Sequence, residues 1–163
     1  MMISQLTYRQ QIEASDVEAI GRIVKSSGFF SAAEIDLALE LANEKLISGP
    51  ASSYQFLFGQ QAGTVWGYTC FGLIPATAAS YDLYWIAVDN QCRTRGLGRQ
   101  LLQKSEDIIG NCGGRHIYVE TSARLQYQPT HRFYERCGYI QEALLKDFYA
   151  AGDSKVIYSK TIK

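Results

Sequence analysis

The residues between positions 93 and 99 combine glycine and arginine in a spacing that suits the binding of phosphate. The segment reads Arg93-Thr-Arg95-Gly96-Leu-Gly98-Arg99. Glycine has no Cβ, so the backbone at Gly96 and Gly98 can lie directly against a phosphate oxygen. The three arginines add positive charge around the same turn. The segment therefore predicts a site for a diphosphate group.

Two regular elements must hold this turn in place. Residues 81–88, before the turn, are rich in aromatic and β-branched side chains and predict a buried strand. Residues 98–111, after it, carry apolar side chains at helical spacing, which predicts an amphipathic helix packed on a sheet. The first turn of a helix leaves backbone N–H groups without intrahelical partners, and its dipole favours anions. The predicted diphosphate site thus lies where a strand ends and a helix begins.

Two well-known phosphate loops do not fit these residues. The P-loop pattern, in which glycines are followed by Lys and then Ser or Thr, occurs nowhere in the chain. The dinucleotide fingerprint requires a third Gly or Ala where this chain has Leu101. An ordinary strand-to-helix turn with exposed arginines remains open as the alternative to a phosphate site.

Two segments resemble signatures of the GNAT superfamily, the acetyl-CoA-dependent N-acetyltransferases. The pattern Arg93-x-x-Gly96-x-Gly98 resembles the loop that binds the coenzyme A pyrophosphate. Residues 130–139 (THRFYERCGY) resemble the second signature, a helix reading Phe-Tyr-x-x-x-Gly-Phe/Tyr. Residues 143–158 resemble the closing hairpin of a subset of small GNAT proteins. One departure is Tyr127, which stands where many members carry Asn, so any contact made by that Asn cannot be transferred.

The resemblance implies an α/β fold of the mixed α+β kind, the GNAT-like acyl-CoA N-acyltransferase fold. Its central mixed sheet would have about seven strands, flanked by about four helices. A composition with 47% hydrophobic and 20% charged residues fits one globular domain, which we expect to span residues 1–163.

The resemblance also implies acetyl-CoA as the cosubstrate. In the superfamily, the strand before the loop offers backbone groups to the pantetheine arm. Ile86 and Val88 are the expected partners, and a bond from this strand to the thioester oxygen would stabilise developing negative charge. The residues expected to bind the cosubstrate are Ile86, Ala87, Val88, Arg93, Thr94, Arg95, Gly96, Leu97, Gly98 and Arg99.

Two catalytic residues are predicted. Tyr134 aligns with the superfamily's usual proton donor to the departing sulfur, although a Phe-Tyr pair on an amphipathic helix can also belong to the core. The amine must lose a proton before it attacks. Glu120 is the first candidate base because it ends a predicted strand over residues 116–121, although an acid at such a place can also face solvent or pair with arginine. Asp82 is the second candidate.

The predicted reaction transfers the acetyl group of acetyl-CoA to a primary amine, by direct attack in a ternary complex. We expect the acceptor to be a small molecule, with Phe29, Phe30 and Tyr149 as a candidate apolar wall. Two alternatives stay open: a protein acetyltransferase acting on Lys or an N-terminus, and an acyl-CoA-binding sensor without turnover.

Overall charge and cysteine spacing argue against several classes of binding partner. Sixteen basic and sixteen acidic residues give a net charge of zero, which argues against a broad surface for nucleic acid or anionic membrane. Four cysteines without CxxC spacing and two histidines predict free thiols and no metal site. No signal peptide or apolar span is evident, so we expect a cytoplasmic protein, and a homodimer is left open.

The N-terminal third predicts a short strand over residues 3–8 and two helices. Asp16 is expected to cap the first helix, which would end near Gly28. Ser31 and Glu34 form a capping box for the second helix, and Gly49 with the following proline is expected to end it.

Overall fold

The computed structural model describes residues 5–163, which form seven strands and four α-helices. The strands are β1 (Thr7–Arg9), β2 (Gln55–Gln61), β3 (Thr64–Leu73), β4 (Ser80–Val88), β5 (His116–Ser122), β6 (Ile140–Ala150) and β7 (Asp153–Thr161). The helices are α1 (Ala14–Ser26), α2 (Ala32–Ser48), α3 (Leu97–Asn111) and α4 (Gln128–Arg136).

The strands form one mixed sheet in the order β1-β2-β3-β4-β5-β7-β6. Strands β1, β2 and β3 pair antiparallel in turn. Strands β4 and β5 pair parallel, from Ser80 opposite His116 to Asp82 opposite Tyr118. Strand β7 then pairs antiparallel with both β5 and β6. The predicted α/β class and the predicted numbers of strands and helices are confirmed.

The chain divides into two compact units. The first contains the residues up to Gly72 together with Trp85–Ser105, and the second contains Leu73–Tyr84 and Glu106–Lys163. Strand β4 and helix α3 therefore contribute residues to both units. The expectation of a single domain stays a prediction.

The core of the first unit lies against α1 and α2. Phe56, Phe58 and Tyr68 are nearly inaccessible to solvent, and their rings stack with centroids 5.8–6.3 Å apart. Ile20 and Ala42 belong to the same buried cluster. Apolar side chains at helical spacing on α1 and α2 thus cover aromatic residues that alternate along β2 and β3.

The start of α1 corrects one prediction, whereas the start of α2 confirms another. Helix α1 begins at Ala14, so Asp16 lies inside its first turn and is not the cap. Its carboxylate instead accepts from the amide of Glu13 at 2.7 Å and from the guanidinium of Arg9 at 2.8 Å. The capping box of α2 forms as predicted, with Ser31 as the N-cap.

The described part of the chain meets the other boundary predictions closely. Helix α2 ends at Ser48, directly before the predicted stop at Gly49, which has a positive φ of 54°. The predicted first strand falls partly outside the described residues, and its described part is β1. None of the helices within residues 5–163 combines the length and apolarity that a membrane span requires.

Candidate functional site

The predicted phosphate turn is exposed and connects β4 to α3. A short 3-10 turn, Asn90–Cys92, follows β4, and the residues from Arg93 to Gly96 lie at the surface. Gly96 has a φ of +79°, which L side chains rarely adopt. A Cβ built there would have no atom of the described chain within 4 Å. The main chain at Gly96 is therefore open to a ligand, as the predicted diphosphate site requires.

Helix α3 begins directly at this turn. The amide of Gln100 donates to the carbonyl of Gly96 at 3.1 Å, so Gly96 begins the helical hydrogen-bond pattern. The amides of Leu97, Gly98 and Arg99 precede the first helical repeat, where helix geometry provides no partner for them. Leu97 is buried and anchors the helix, whereas Arg99 is exposed. Amides at a helix N-terminus together with exposed arginine fit an anionic ligand.

One arginine of the turn is already held by an aromatic ring. The guanidinium carbon of Arg93 lies 5.3 Å from the ring centroid of Phe29, in the connection between α1 and α2. In the same connection, Phe30 contacts Trp85 of β4 edge to face at 4.8 Å. The sequence predicted these two phenylalanines as part of an apolar wall, and the structure places both beside the strand and loop of the first unit.

A buried carboxylate fixes the start of the turn. Asp89 is 3% exposed, and its carboxylate accepts from the guanidinium of Arg22 and, at 3.0 Å, from the amide of Gln91. Its own amide donates to the carbonyl of Trp66 at 2.7 Å. Arg22 also donates to the carbonyl of Val65 at 2.5 Å. The turn is thus attached to both β3 and α1, and no local pattern in the sequence predicts these contacts.

Two glycines in the sheet allow α3 to lie directly on it. A Cβ at Gly67 would stand 2.9 Å from Cδ1 of Leu101 and 3.1 Å from the carbonyl oxygen of Ala87. A Cβ at Gly59 would stand 3.0 Å from Cδ1 of Leu97. These close approaches set the height of the α3 N-terminus over the sheet. Glycines within strands are the sequence signal for such contacts.

The strand residues predicted to bind the pantetheine arm belong to the same unit as the loop. Ala87 is 8% exposed, and Ile86 and Val88 on either side of it are half-buried. The structure therefore brings residues 86–88 and 93–99 together in the first unit. Their part in binding stays a prediction.

Tyr134 lies on α4, in the second unit, within a cluster of aromatic rings. It is 4% exposed, and its ring centroid lies 5.5 Å from that of Tyr139 and 6.1 Å from that of Tyr158. Burial raises the pKa of the Tyr134 phenol, and the nearby Cys137 raises it further. The group therefore keeps its proton into the alkaline range, as a proton donor must. The packing alternative and the catalytic prediction both fit this position.

Glu106 fastens the end of the second signature. This buried carboxylate accepts from Nζ of Lys160 at 2.9 Å and from the hydroxyl of Tyr139 at 3.1 Å. The same ammonium donates to the carbonyl of Cys137 at 2.8 Å. The Gly-Tyr pair that closes the signature is thus attached to α3 and β7. The sequence did not predict this role for Glu106.

Glu120, the predicted base, is exposed near the end of β5 and forms an ion pair. Its Oε2 lies 2.7 Å from Nζ of Lys155, a residue that is 7% exposed. The second candidate, Asp82, is half-buried; burial raises the pKa of its carboxyl, Glu120 raises it further and Lys155 lowers it. The sequence did not predict that Lys155 belongs to this site.

Comparison with known proteins agrees with this arrangement. Residues 22–139 match the acetyltransferase (GNAT) family. The chain is 28% identical over 144 residues to an uncharacterized N-acetyltransferase of Methanocaldococcus jannaschii, covering 80% of this chain and 88% of the relative.

Solved structures share the fold over nearly the whole chain. A protein from Desulfovibrio desulfuricans, described as an acetyltransferase of the GNAT family, is 43% identical with a TM-score of 0.95, covering 98% of this chain and 100% of that one. An acetyltransferase structure from Salmonella typhimurium, solved with its cofactor acetyl-CoA, has a TM-score of 0.74 at 19% identity, covering 98% and 95% of the two chains. The second likeness concerns the fold alone. The family match over residues 22–139, together with the relatives, shows that the chain belongs to the acetyltransferase (GNAT) family and is an acyltransferase.

Proposed function

We propose that the chain transfers the acetyl group of acetyl-CoA to the primary amine of a small molecule, by direct attack of the amine on the thioester. The observation that carries the proposal is the open main chain at Gly96, directly before the first turn of α3. Backbone amides and arginine at one place supply hydrogen bonds and positive charge to a diphosphate. Coenzyme A carries a diphosphate, and the Salmonella typhimurium relative was solved with its acetyl form.

Three side chains are proposed for the proton transfers: Tyr134, Glu120 and Asp82. Tyr134 donates a proton to the departing sulfur as negative charge builds there, which its raised pKa permits because the phenol stays protonated. Glu120 and Asp82 are the proposed proton acceptors for the amine. A thioester is already activated, so positioning and these proton transfers are sufficient, and no covalent intermediate on the enzyme is needed.

Calorimetry with two matched glycine variants tests the cosubstrate site. Gly96 and Gly113 have φ values of +79° and +88°, and a Cβ at either meets no atom of the described chain within 4 Å. Gly96→Glu and Gly113→Glu therefore add the same side chain at equal backbone strain. Gly96→Glu also places bulk and negative charge at the diphosphate. We expect it to abolish acetyl-CoA binding, and we expect Gly113→Glu to bind like the wild type.

The same titrations decide the outcome. If the wild-type protein binds neither coenzyme A nor acetyl-CoA at millimolar excess, the proposal is overturned. Equal binding by Gly96→Glu would remove the loop from it. Steady-state release of free thiol with amines then separates an enzyme from an acyl-CoA sensor, because a sensor binds without turnover. Peptides with Lys or a free N-terminus, run beside small amines, test the protein acetyltransferase alternative.

A further inference from the structure

Lys155 and four other residues of the second unit form a cluster around the buried ammonium of Lys155. Its Nζ lies 2.7 Å from Oε2 of Glu120, 3.6 Å from the ring centroid of Phe148 and 5.7 Å from that of Tyr149. The fifth residue is Asp82, whose carboxyl interacts electrostatically with both Glu120 and Lys155. We call this set the Lys155 cluster. Its charged members come from β4, β5 and β7, which are neighbours in the sheet.

An irregular stretch of β6 holds the two rings in place. Leu145 pairs with Lys155 and Ala150 pairs with Asp153, so four residues of β6 face a single residue of β7. Within this stretch, Asp147 has a positive φ of 53°, and its carboxylate accepts from the amide of Gly152 at 2.8 Å. A bulge of this kind re-aims side chains beside functional sites.

The rings are fixed in place while remaining open to solvent. Phe148 and Tyr149 contact each other edge to face, with centroids 5.1 Å apart. They are nevertheless 52% and 47% exposed. Two half-exposed aromatic rings beside a charged cluster offer apolar surface and a cation-binding face to a ligand.

The net charge of the Lys155 cluster determines which ligand charge it can bind. Two carboxylates and one ammonium give a net charge of −1 when all are ionised, and one added cation neutralises the cluster. A dication would leave an excess positive charge, whereas a zwitterion would bring a third carboxylate close to Asp82 and Glu120. Uncompensated charge in a partly buried place is costly. The cluster therefore matches a ligand with one positive charge and an apolar body.

We propose that the Lys155 cluster is the acceptor subsite, and that it selects a primary monoamine with an apolar, ring-sized body. This inference rests on the proposed acetyltransferase function. The ammonium of the acceptor binds at Asp82 and Glu120, and its apolar body packs on Phe148 and Tyr149. Lys155 is a positioning residue, because it holds Glu120 and cancels one of the two negative charges.

Thiol-release kinetics with four acceptors test the selection. We expect 2-phenylethylamine, a monocation with a ring, to exceed three others in kcat/KM by at least about 10-fold, the discrimination expected where charge or apolar contact is mismatched. Phenylalanine adds a carboxylate, putrescine is a dication, and ethanolamine lacks the apolar body. Turnover of phenylalanine or putrescine at an equal or higher rate would overturn the proposal.

Two lysine variants separate the charge of Lys155 from a general loss of charge. Lys155→Met makes the cluster more negative by one charge, so the preference for putrescine over 2-phenylethylamine should rise about 10-fold relative to wild type. Lys146→Met removes the same charge from an exposed place on the same hairpin and should leave this ratio unchanged. Equal ratios in the two variants would contradict the role given to Lys155.

Calorimetry without acetyl-CoA measures amine binding to the free protein, and so tests the acceptor subsite separately from catalysis. 2-Phenylethylamine should bind the free protein more tightly than phenylalanine, and Phe148→Ala should weaken that binding about 10-fold, whereas Phe148→Leu restores most of it. Binding of this kind in a protein without turnover would support the amine site while the proposed function failed. If the protein binds coenzyme A but shows no preference among the amines, that result would support the proposed function and overturn the acceptor subsite. A changed molecular mass of Phe148→Ala in light scattering would mark the ring as a subunit contact and overturn the proposal.

Discussion

Arg22 and Asp89 stand 67 positions apart in the chain, yet the guanidinium of Arg22 donates a hydrogen bond to the carboxylate of Asp89. The two partners differ in exposure, because the side chain of Arg22 is 41% exposed and that of Asp89 is 4% exposed. This contact joins α1 to the residue that follows β4, directly before the predicted diphosphate loop. It therefore couples the stability of the first unit to the shape of the loop.

The unequal exposure of Arg22 and Asp89 predicts that substituting them lowers the free energy of unfolding by unequal amounts. Arg22→Met leaves a buried carboxylate with fewer donors, and we expect it to lower the free energy of unfolding by about 2–3 kcal/mol. Asp89→Asn should cost less, because the half-exposed guanidinium keeps its contact with water. Urea denaturation of both variants, and of the double variant, measures this order. The opposite order, or simple additivity in the double variant, would contradict the assignment.

Much of the site's scaffold could be predicted because its signals are local. The capping box at Ser31 and Glu34, the stop at Gly49 and the strand-to-helix turn at Gly96 each depend on residues close in sequence. The start of α1 was misplaced for a related reason. Asp16 is a good cap by residue type, but its carboxylate is used by the amide of Glu13 and by Arg9.

Contacts between distant side chains could not be predicted in this way. Nothing in the residue types shows that Arg22 reaches Asp89, or that Lys155 reaches Glu120 from a strand 35 positions away. Such pairs depend on which strands become neighbours and on which face each side chain occupies. Glu120 was correctly placed at a strand end, but its partner is a lysine, not the arginine considered as an alternative.

The close packing of α3 predicts different costs for two glycine substitutions. A Cβ at Gly67 meets the backbone oxygen of Ala87 at 3.1 Å and Leu101 at 2.9 Å. The three atoms nearest to a Cβ at Gly59 all belong to side chains, the nearest on Leu97 at 3.0 Å. Backbone yields less readily than a side chain. We therefore expect Gly67→Ala to lower the free energy of unfolding by about 1–3 kcal/mol and Gly59→Ala to cost less. Urea midpoints measure both, and equal costs would argue against the close approach.

The proposed acid predicts a rate effect without a binding effect. Tyr134→Phe should lower kcat about 10- to 100-fold, at the modest end of general acid catalysis, and leave the Kd of acetyl-CoA unchanged. Tyr158→Phe is the matched control, since it removes a hydroxyl from the same aromatic cluster, there bonded to Glu135 at 3.3 Å. Because burial raises the pKa of Tyr134, wild-type kcat should show no loss from this group up to about pH 10. Equal kcat values in the two variants would assign Tyr134 to packing.

Buried phenols also predict how stability depends on pH. Burial raises the pKa of Tyr139, and the charge and hydrogen bond of Glu106 raise it further. A group whose pKa is higher in the folded protein stabilises it below the unfolded pKa, and that contribution is lost as pH rises through the folded value. The contribution of this group to the free energy of unfolding should therefore change little below about pH 9 and fall above about pH 10, the ordinary tyrosine pKa.

Tyr139→Phe should reduce this alkaline slope, although it lowers the free energy of unfolding by about 1–2 kcal/mol at neutral pH through the lost bond to Glu106. Urea denaturation between pH 7 and pH 11 measures both effects, and an unchanged slope in the variant would show that Tyr139 keeps an ordinary environment.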